Sequence, residues 1–288
     1  MAKILISGAN SGIGLETALQ LARAGHRVIA GCRNPDAASD LLSARDDAQL
    51  DLDLVKLDLL DQAGLIATVN EVVAGEGGLD VLVSNAGIGG GRALEETPMD
   101  ELRAVYETNV FGTLALMQAV IPHLRKQASG RLVNVSSLAA VNVFGCHGTY
   151  SSSKAAVEAM CIALSQELSA FNIHVSLIEP GCIWTPLWEK GTPPPEDSAY
   201  GESFGRLMKF GEFGLGRAAT TKDCADAIQD AIENDTPRFR YPVGPDADDF
   251  WRAYTALNDD EEWRRIARLD DAAYAERMHE LMGVDYYN

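Results

Sequence analysis

Short apolar runs alternate with longer amphipathic runs along most of the chain. The short runs are rich in β-branched residues and leucine, a composition that favours strands. They cover residues 4–6, 27–31, 53–57, 81–84, 131–135, 174–178 and 238–243. The longer runs predict helices at residues 12–24, 36–45, 61–74, 100–126 and 150–171. Strands and helices that alternate at this spacing predict right-handed crossovers and an α/β fold, a Rossmann-type doubly wound parallel sheet.

The pattern changes after residue 245. Residues 246–288 carry twelve acidic and five basic side chains, and their spaced apolar positions predict two or three short amphipathic helices. We therefore expect a single catalytic domain, residues 1–245, followed by an acidic helical extension. The extension could cover the substrate entrance, contact a neighbouring subunit or act as stabilising cover, and we favour stabilising cover.

Composition narrows the classes of function. The chain has 288 residues, 47% of them hydrophobic, which supports one large domain with a sizeable core. Its formal net charge of −18 argues against nucleic-acid or anionic-membrane binding, since both require basic surfaces. We expect a protein that acts on a small molecule.

The cysteines and the chain start indicate a cytoplasmic protein. The cysteines are odd in number and show no Cys-x2-Cys spacing, which predicts reduced thiols with no zinc site and no disulfide framework. A strand predicted at the very start leaves no room for a signal peptide. No apolar run reaches the roughly 20 residues of a membrane span. The five cysteines are Cys32, Cys146, Cys161, Cys182 and Cys224.

Glycines follow the first predicted strand at a Gly-x3-Gly-x-Gly spacing. They allow a tight backbone path, and the helix that begins there directs free N–H groups and its positive dipole end at an anion. The alternative is a glycine-rich turn with no ligand. We expect a pyrophosphate to bind this turn, at Gly8, Ser11, Gly12, Ile13 and Gly14.

The end of the second predicted strand indicates which dinucleotide binds. An acidic residue there would bind both ribose hydroxyls, whereas an arginine accommodates a 2′-phosphate. Arg33, followed by Asn34, therefore favours NADP(H) over NAD(H). Asp36 lies nearby but is better placed to cap the next helix.

Asp58 and Leu59 end the third predicted strand, at the sheet edge where ligands bind in such folds. Asp58 could accept a hydrogen bond from an adenine amino group. It could equally cap the helix predicted at 61–74, and both roles are compatible.

Tyr150 and Lys154 stand four residues apart in a predicted helix, so their side chains share one face. A fixed positive charge beside a phenol favours the phenolate and lowers the tyrosine pKa from its usual value of about 10. The pair could serve acid–base chemistry, or it could be a surface pair on an ordinary helix. Ser137 lies thirteen residues upstream.

The chain also contains Asn85-Ala86-Gly87, Asn109 and Pro180-Gly181. Together with Gly8-x3-Gly12-x-Gly14, Ser137 and Tyr150-x3-Lys154, these motifs resemble those of the short-chain dehydrogenase/reductase family, in its NADP-preferring subgroup, over roughly residues 3–245. The resemblance implies that Tyr150 donates a proton to a substrate carbonyl while hydride arrives from nicotinamide. Lys154 would tune the tyrosine and bind the nicotinamide ribose.

The resemblance also implies roles for other residues. Ser137 would hydrogen-bond the substrate carbonyl, and Asn109 would hold a water that links Lys154 to solvent. After the sixth strand, the Ile183 backbone would meet the nicotinamide carboxamide, and Thr185 would approach the carboxamide or a phosphate oxygen. Further cofactor contacts would come from Asn85, Ala86, Gly87, Pro180 and Gly181.

Residues 184–216 would form a lid over the substrate. Their aromatic residues, which include Trp184 and Trp188, suggest an apolar and fairly bulky ligand, although each could instead belong to the core. Phe144 and His147 would line another wall, together with Ser137 and Tyr150. A second acid–base role for His147 is disfavoured because the Tyr150–Lys154 pair already supplies the proton.

The leading hypothesis is an NADPH-dependent enzyme that interconverts a ketone and a secondary alcohol. One alternative is a step of epimerisation or ring modification with the same hydride chemistry. Another is a non-catalytic NADP-sensing regulator on the same fold. The resemblance further implies a homodimer or homotetramer paired through the helices predicted at 100–126 and 150–171.

Overall fold

A computed structural model of the chain describes residues 1–186, 195–256, 265–266 and 268–282. Its described strands form one seven-stranded sheet in the order β3-β2-β1-β4-β5-β6-β7, with every neighbouring pair parallel. The strands are β1 (Lys3–Ser7), β2 (Arg27–Cys32), β3 (Leu52–Lys56), β4 (Val81–Ser84), β5 (Gly130–Val135), β6 (Ile173–Pro180) and β7 (Arg240–Val243). The predicted doubly wound parallel sheet is confirmed.

Helices cover both faces of the sheet. Alternation along β1 shows why, because Ile4 and Ile6 pack on one face while Leu5 packs on the other. The described helices are α1 (Gly12–Arg23), α2 (Ser39–Ala48), α3 (Gln62–Glu76), α4 (Met99–Tyr106), α5 (Thr113–Gln127), α6 (Gly148–Glu167), α7 (Gly201–Gly216), α8 (Thr221–Glu233), α9 (Ala247–Ala256) and α10 (Asp271–Met282). Helices α1, α2 and α8 cover the Ile4 face, and α3, α5 and α6 cover the Leu5 face.

Strand order reverses beside β1, which lies between β2 and β4. In open α/β sheets a ligand binds outside the carboxyl ends of the strands at such a switch point. The fold therefore predicts a ligand site at the loops that follow β1 and β4.

Two predicted helices differ from the structure. The helix expected at 36–45 is a short 3₁₀ turn, Pro35–Ala37, followed by α2, so Asp36 does not cap α2. The long helix expected at 100–126 is interrupted by a π-helical stretch, Glu107–Gly112, between α4 and α5. The interruption contains Asn109, whose side chain bonds outside the helix.

The C-terminal segment is helical, as predicted. Helices α9 and α10 build a third apolar cluster together with α7 and the loop that follows β5. Arg206 of α7 holds the segment in place: it donates to Asp271 at 3.0 Å and to the Leu269 carbonyl oxygen at 2.7 Å. Its guanidinium also lies over the Tyr274 ring. Among the described residues, no helix is long and apolar enough to cross a bilayer.

Candidate active site

The glycine turn after β1 has a backbone path that side chains would block. Gly8 and Gly12 have φ values of +67° and +55°, in the left-handed region that favours glycine. A Cβ at Gly14 would lie 2.2 Å from the Gly8 carbonyl oxygen. Ser11 is the N-cap residue of α1, and within the described residues its hydroxyl does not cap the helix. The first-turn N–H groups at Ile13 and its neighbours are thus available to an anion.

Ser7 and Asn85 hold this turn against the end of β4. The Ser7 hydroxyl accepts from the backbone N–H groups of Asn85 and Ala86, at 3.0 and 3.1 Å. The Asn85 side chain donates to the carbonyl oxygens of Ser7 and Gly8, both at 3.1 Å. Asn85 therefore shapes the turn with its amide group, which is a structural role beyond the direct cofactor contact expected from the sequence.

Residues at the ends of β2 and β3 lie at the same edge of the sheet. Arg33 and Asn34 are exposed beyond β2. Asp58 accepts from the Leu60 backbone N–H at 3.1 Å. The expected alternative role of Asp58 as the α3 cap is wrong, because Asp61 caps that helix by accepting from the Gly64 backbone N–H.

The structure restricts how Leu59 could make its expected cofactor contact. Its side chain is buried in the core, against a position in the π-helical stretch where only a glycine fits. A Cβ at Gly112 would lie 2.7 Å from the Leu59 Cβ. Only the backbone of Leu59 can therefore serve a ligand.

Tyr150, Lys154 and Ser137 come together at the carboxyl end of β5. Tyr150 hydrogen-bonds to Ser137, and the Lys154 ammonium lies 5.7 Å from the centroid of the Tyr150 ring. The Ser137 hydroxyl accepts from the Ala139 backbone N–H at 3.1 Å and makes a long 3.5 Å contact with the Pro180 carbonyl oxygen. The Tyr150 and Ser137 hydroxyls therefore lie together, and the Lys154 ammonium lies beside the phenol ring.

The pKa values of the pair reflect burial above all. Burial raises the pKa of Tyr150 to about 12, although its hydrogen bond with Ser137 acts to lower it. This is opposite to the lowering by Lys154 expected from the sequence. Burial lowers the pKa of Lys154 to about 8, and the Glu158 carboxylate opposes that effect. Tyr150 therefore holds its proton at neutral pH.

Asn109 fixes the loop after β4 beside Lys154. Its side-chain nitrogen donates to the Ile88 carbonyl oxygen at 2.9 Å and to the Ser153 hydroxyl at 3.0 Å, while its oxygen accepts from the Ile88 N–H at 2.8 Å. A Cβ at Gly87 would lie 3.2 Å from the Asn109 Oδ1 and 3.6 Å from the Lys154 Nζ. These contacts use both amide N–H groups of Asn109 and leave one lone pair on its oxygen.

The loop after β6 approaches the glycine turn. Pro180 ends β6, the Gly181 backbone N–H donates to the Val243 carbonyl oxygen, and Ile183 forms an isolated parallel bridge with Ala219. A Cβ at Gly12 would lie 3.4 Å from the Thr185 Cβ. Thr185 therefore faces the same turn that the anion would occupy.

A dinucleotide fits this edge of the sheet. The glycine turn leaves a cradle that a Cβ would fill, and the α1 N-terminus points into it. Arg33 at one end and the Tyr150–Lys154 pair at the other lie at the carboxyl ends of β2 and β5, with the cradle between them. The residues that the sequence assigned to a dinucleotide site therefore lie along one edge of the sheet.

Comparison with known proteins supports the same conclusion. The sequence profile described as short chain dehydrogenase matches residues 2–195. The chain belongs to the short-chain dehydrogenase family.

The relatives of this short-chain dehydrogenase are oxidoreductases. It is 33% identical over 247 residues to 3-ketodihydrosphingosine reductase of Bacteroides thetaiotaomicron, covering 84% of this chain and 87% of that protein. It is 31% identical over 250 residues to 17-beta-hydroxysteroid dehydrogenase type 1 of Mus musculus, covering 83% and 72%. A solved short-chain dehydrogenase from Streptomyces avermitilis matches with a TM-score of 0.80 and 32% identity, over 93% of this chain and 98% of that one.

The expected substrate contacts in the wall and in the lid of this short-chain dehydrogenase lie in different surroundings. His147 stacks on Tyr150, with ring centroids 5.0 Å apart and planes inclined by 23°, and burial lowers its pKa to about 4. Phe144 is buried, and its ring stacks on Phe210 at 4.4 Å, so it is a core residue at the base of the C-terminal cluster. Trp184 is 63% exposed, and Trp188 lies outside the described residues.

Sequence reasoning missed a buried charged group behind Lys154. Glu158 accepts from the Ser136 hydroxyl at 2.6 Å and from Arg240 at 2.7 Å, and Arg240 also contacts Glu179. Burial and the neighbouring Glu158 carboxylate raise the pKa of Glu179 to about 7. The position of Glu158, one helical turn beyond Lys154, is a signal that could have identified it.

Proposed function

We propose that this short-chain dehydrogenase transfers a hydride between NADP(H) and a ketone/secondary-alcohol pair, with an apolar and fairly bulky substrate. The observation that carries the proposal is the meeting of Tyr150, Lys154 and Ser137 at the carboxyl end of β5. The cofactor, when bound, supplies the hydride. The residues of the chain supply the proton, orient the carbonyl and hold the dinucleotide.

Tyr150 is the proposed general acid in the direction of reduction. Its raised pKa keeps the phenol protonated at neutral pH, and its hydroxyl lies with Ser137 at the open end of β5. As the carbonyl carbon gains hydride, the oxygen takes the phenolic proton and the secondary alcohol forms. Oxidation of the alcohol reverses both transfers.

Lys154 and Ser137 stabilise the charges that appear during this step. The Lys154 ammonium lies near the ring that becomes phenolate, and a positive charge there opposes the cost of a buried anion. The Ser137 hydroxyl is held by a long contact to Pro180, so it can exchange that contact for the substrate oxygen. Asn109, with its remaining lone pair, is proposed to hold a water that returns protons to Lys154.

The preference for NADP(H) rests on Arg33. Its guanidinium is exposed beyond β2, where a 2′-phosphate of the adenosine ribose would lie. Replacing Arg33 with alanine should weaken NADPH binding by at least tenfold, measured by the fluorescence of the reduced nicotinamide, and leave NADH binding within about threefold. Equal losses for both dinucleotides would overturn the cofactor assignment.

An apolar, bulky substrate is supported by the exposed Trp184 and by the relatives, whose names refer to 3-ketodihydrosphingosine and a hydroxysteroid. The test is NADPH oxidation with 3-ketodihydrosphingosine, a 17-ketosteroid and cyclohexanone as probe ketones. We expect kcat/KM for one of the two large probes to exceed that for cyclohexanone by at least a hundredfold. The substrate class would be wrong if cyclohexanone were the best of the three.

A further inference from the structure

A buried carboxylate from the C-terminal segment contacts the loop that follows β6. Asp246 lies between β7 and α9 and is only 3% exposed. Its Oδ2 accepts from the Cys182 backbone N–H at 2.9 Å, and the Cys182 thiol also hydrogen-bonds to this carboxylate. The contact joins two parts of the chain that are 64 residues apart.

Two glycines make room for this carboxylate. A Cβ at Gly181 would lie 2.1 Å from the Asp246 Oδ1, and a Cβ at Gly244 would lie 2.6 Å from the same atom. Gly244 also has a φ of +123°, which side chains rarely adopt. The backbone on both sides is therefore shaped around the Asp246 carboxyl group.

The carboxylate is costly to bury for stability alone. Its Oδ1 has no hydrogen-bond partner among the described residues, and burial raises the pKa of Asp246, with the Cys182 N–H and the Arg217 charge opposing that rise. A well-packed apolar side chain would be expected to serve a purely structural junction at least as well. The Asp246 carboxylate therefore matters for the loop after β6, which it holds in place through Cys182.

That loop is the one proposed to meet the nicotinamide half of the cofactor. Ile183 follows Cys182 directly, and Thr185 faces the glycine turn at Gly12. Loss of the contact at Cys182 would release the start of this loop from Asp246. The residues around Arg33, at the opposite end of the same sheet edge, would keep their structure.

We infer that Asp246 is a positioning residue for dinucleotide binding, which fixes the path of residues 181–183 so that the loop can hold the nicotinamide half. The inference rests on the proposed function, since it needs a bound dinucleotide. It also assigns the C-terminal segment a role in cofactor affinity in addition to covering the core.

The test compares NADPH with adenosine 2′,5′-bisphosphate, which carries only the adenosine end. Asp246→Ala should weaken NADPH binding at least tenfold, equivalent to about 1.4 kcal/mol, and leave the affinity for the bisphosphate within about twofold. Asp246→Asn retains an acceptor oxygen and should restore most of the NADPH affinity. If Asp246→Ala does not fold, Asp246→Ser takes its place with the same expected selective loss.

Asp249→Asn is the matched control, because Asp249 is an equally buried carboxylate of α9 that pairs with Arg217 and Arg252. We expect it to leave NADPH affinity within about twofold. Equal losses of NADPH and bisphosphate, or an unchanged NADPH affinity in Asp246→Ala, would overturn the inference while the wild-type protein still binds NADPH. Failure of the wild-type protein to bind either NADPH or NADH would instead overturn the proposed function, and the inference with it.

Discussion

Replacing His147 should change how the stability of the protein depends on pH. Burial lowers the pKa of His147 to about 4 from 6.5, so the folded protein favours the neutral imidazole. This contribution to stability is fully present above the unfolded-state pKa of about 6.5 and is lost as pH falls toward the folded-state pKa. A shift of this size corresponds to a loss of about 2 kcal/mol between pH 8 and pH 5. Because the side chain is half-buried, solvent screening should reduce the measured loss to about 1–2 kcal/mol.

The variant His147→Phe keeps an aromatic ring against Tyr150 and removes the titrating group. Urea unfolding followed by tryptophan fluorescence at pH 5, 6, 7 and 8 would give the free energy of unfolding of both proteins. We expect the wild-type protein to lose about 1–2 kcal/mol more than His147→Phe over this range. His174→Phe, at an exposed position of β6, controls for the general effect of the replacement. Parallel pH profiles for wild type and His147→Phe would refute the reasoning.

Two further predictions concern the glycine turn and the buried charges. Gly14→Ala should destabilise the protein by about 1–3 kcal/mol and weaken NADPH binding, because its Cβ would lie 2.2 Å from the Gly8 carbonyl oxygen; Gly75→Ala, in open space on α3, should instead be neutral or stabilising in the same urea unfolding assay. The raised pKa of Glu179, about 7 against 4.5, means that wild-type stability falls as pH rises through this interval. As pH rises from 5 to 8, the free energy of unfolding of Glu179→Gln, measured in urea, should therefore increase by about 2 kcal/mol relative to that of wild type. A difference between the two proteins that stays the same at every pH would contradict the raised pKa of Glu179.

The sheet could be predicted because its central strands are apolar on both faces. All seven predicted strands are present within a few residues of their expected bounds. Runs such as Ile4–Ile6 are apolar at every position and are buried in a parallel sheet that helices cover on both faces. The helix boundaries were less accurate where side chains bond outside the helix. The π-helical stretch at Glu107–Gly112 depends on contacts of Asn109 with Ile88 and Ser153, which no local pattern reveals.

In the candidate site, too, some residues could be predicted from the sequence and others could not. Tyr150, Lys154 and Ser137 could be proposed from their spacing, because each is tied to a strand end or a helix face. The role of Asp246 could not, because its partner Cys182 is distant in sequence and the space it fills is made by two glycines. The substrate-wall role of Phe144 stays a prediction, because hydrophobicity alone does not distinguish a ligand contact from packing against Phe210.

The most direct test of the proposed chemistry is the rate of hydride transfer from bound NADPH to the better of the two large probe ketones, in wild type and Tyr150→Phe. Phenylalanine retains the ring beside Lys154 and His147 and removes only the hydroxyl that would donate the proton. We expect NADPH affinity within about threefold of wild type and a single-turnover rate at least about a hundredfold lower. A Tyr150→Phe variant that reduces the ketone at a rate close to wild type would contradict the assignment of Tyr150 as the general acid.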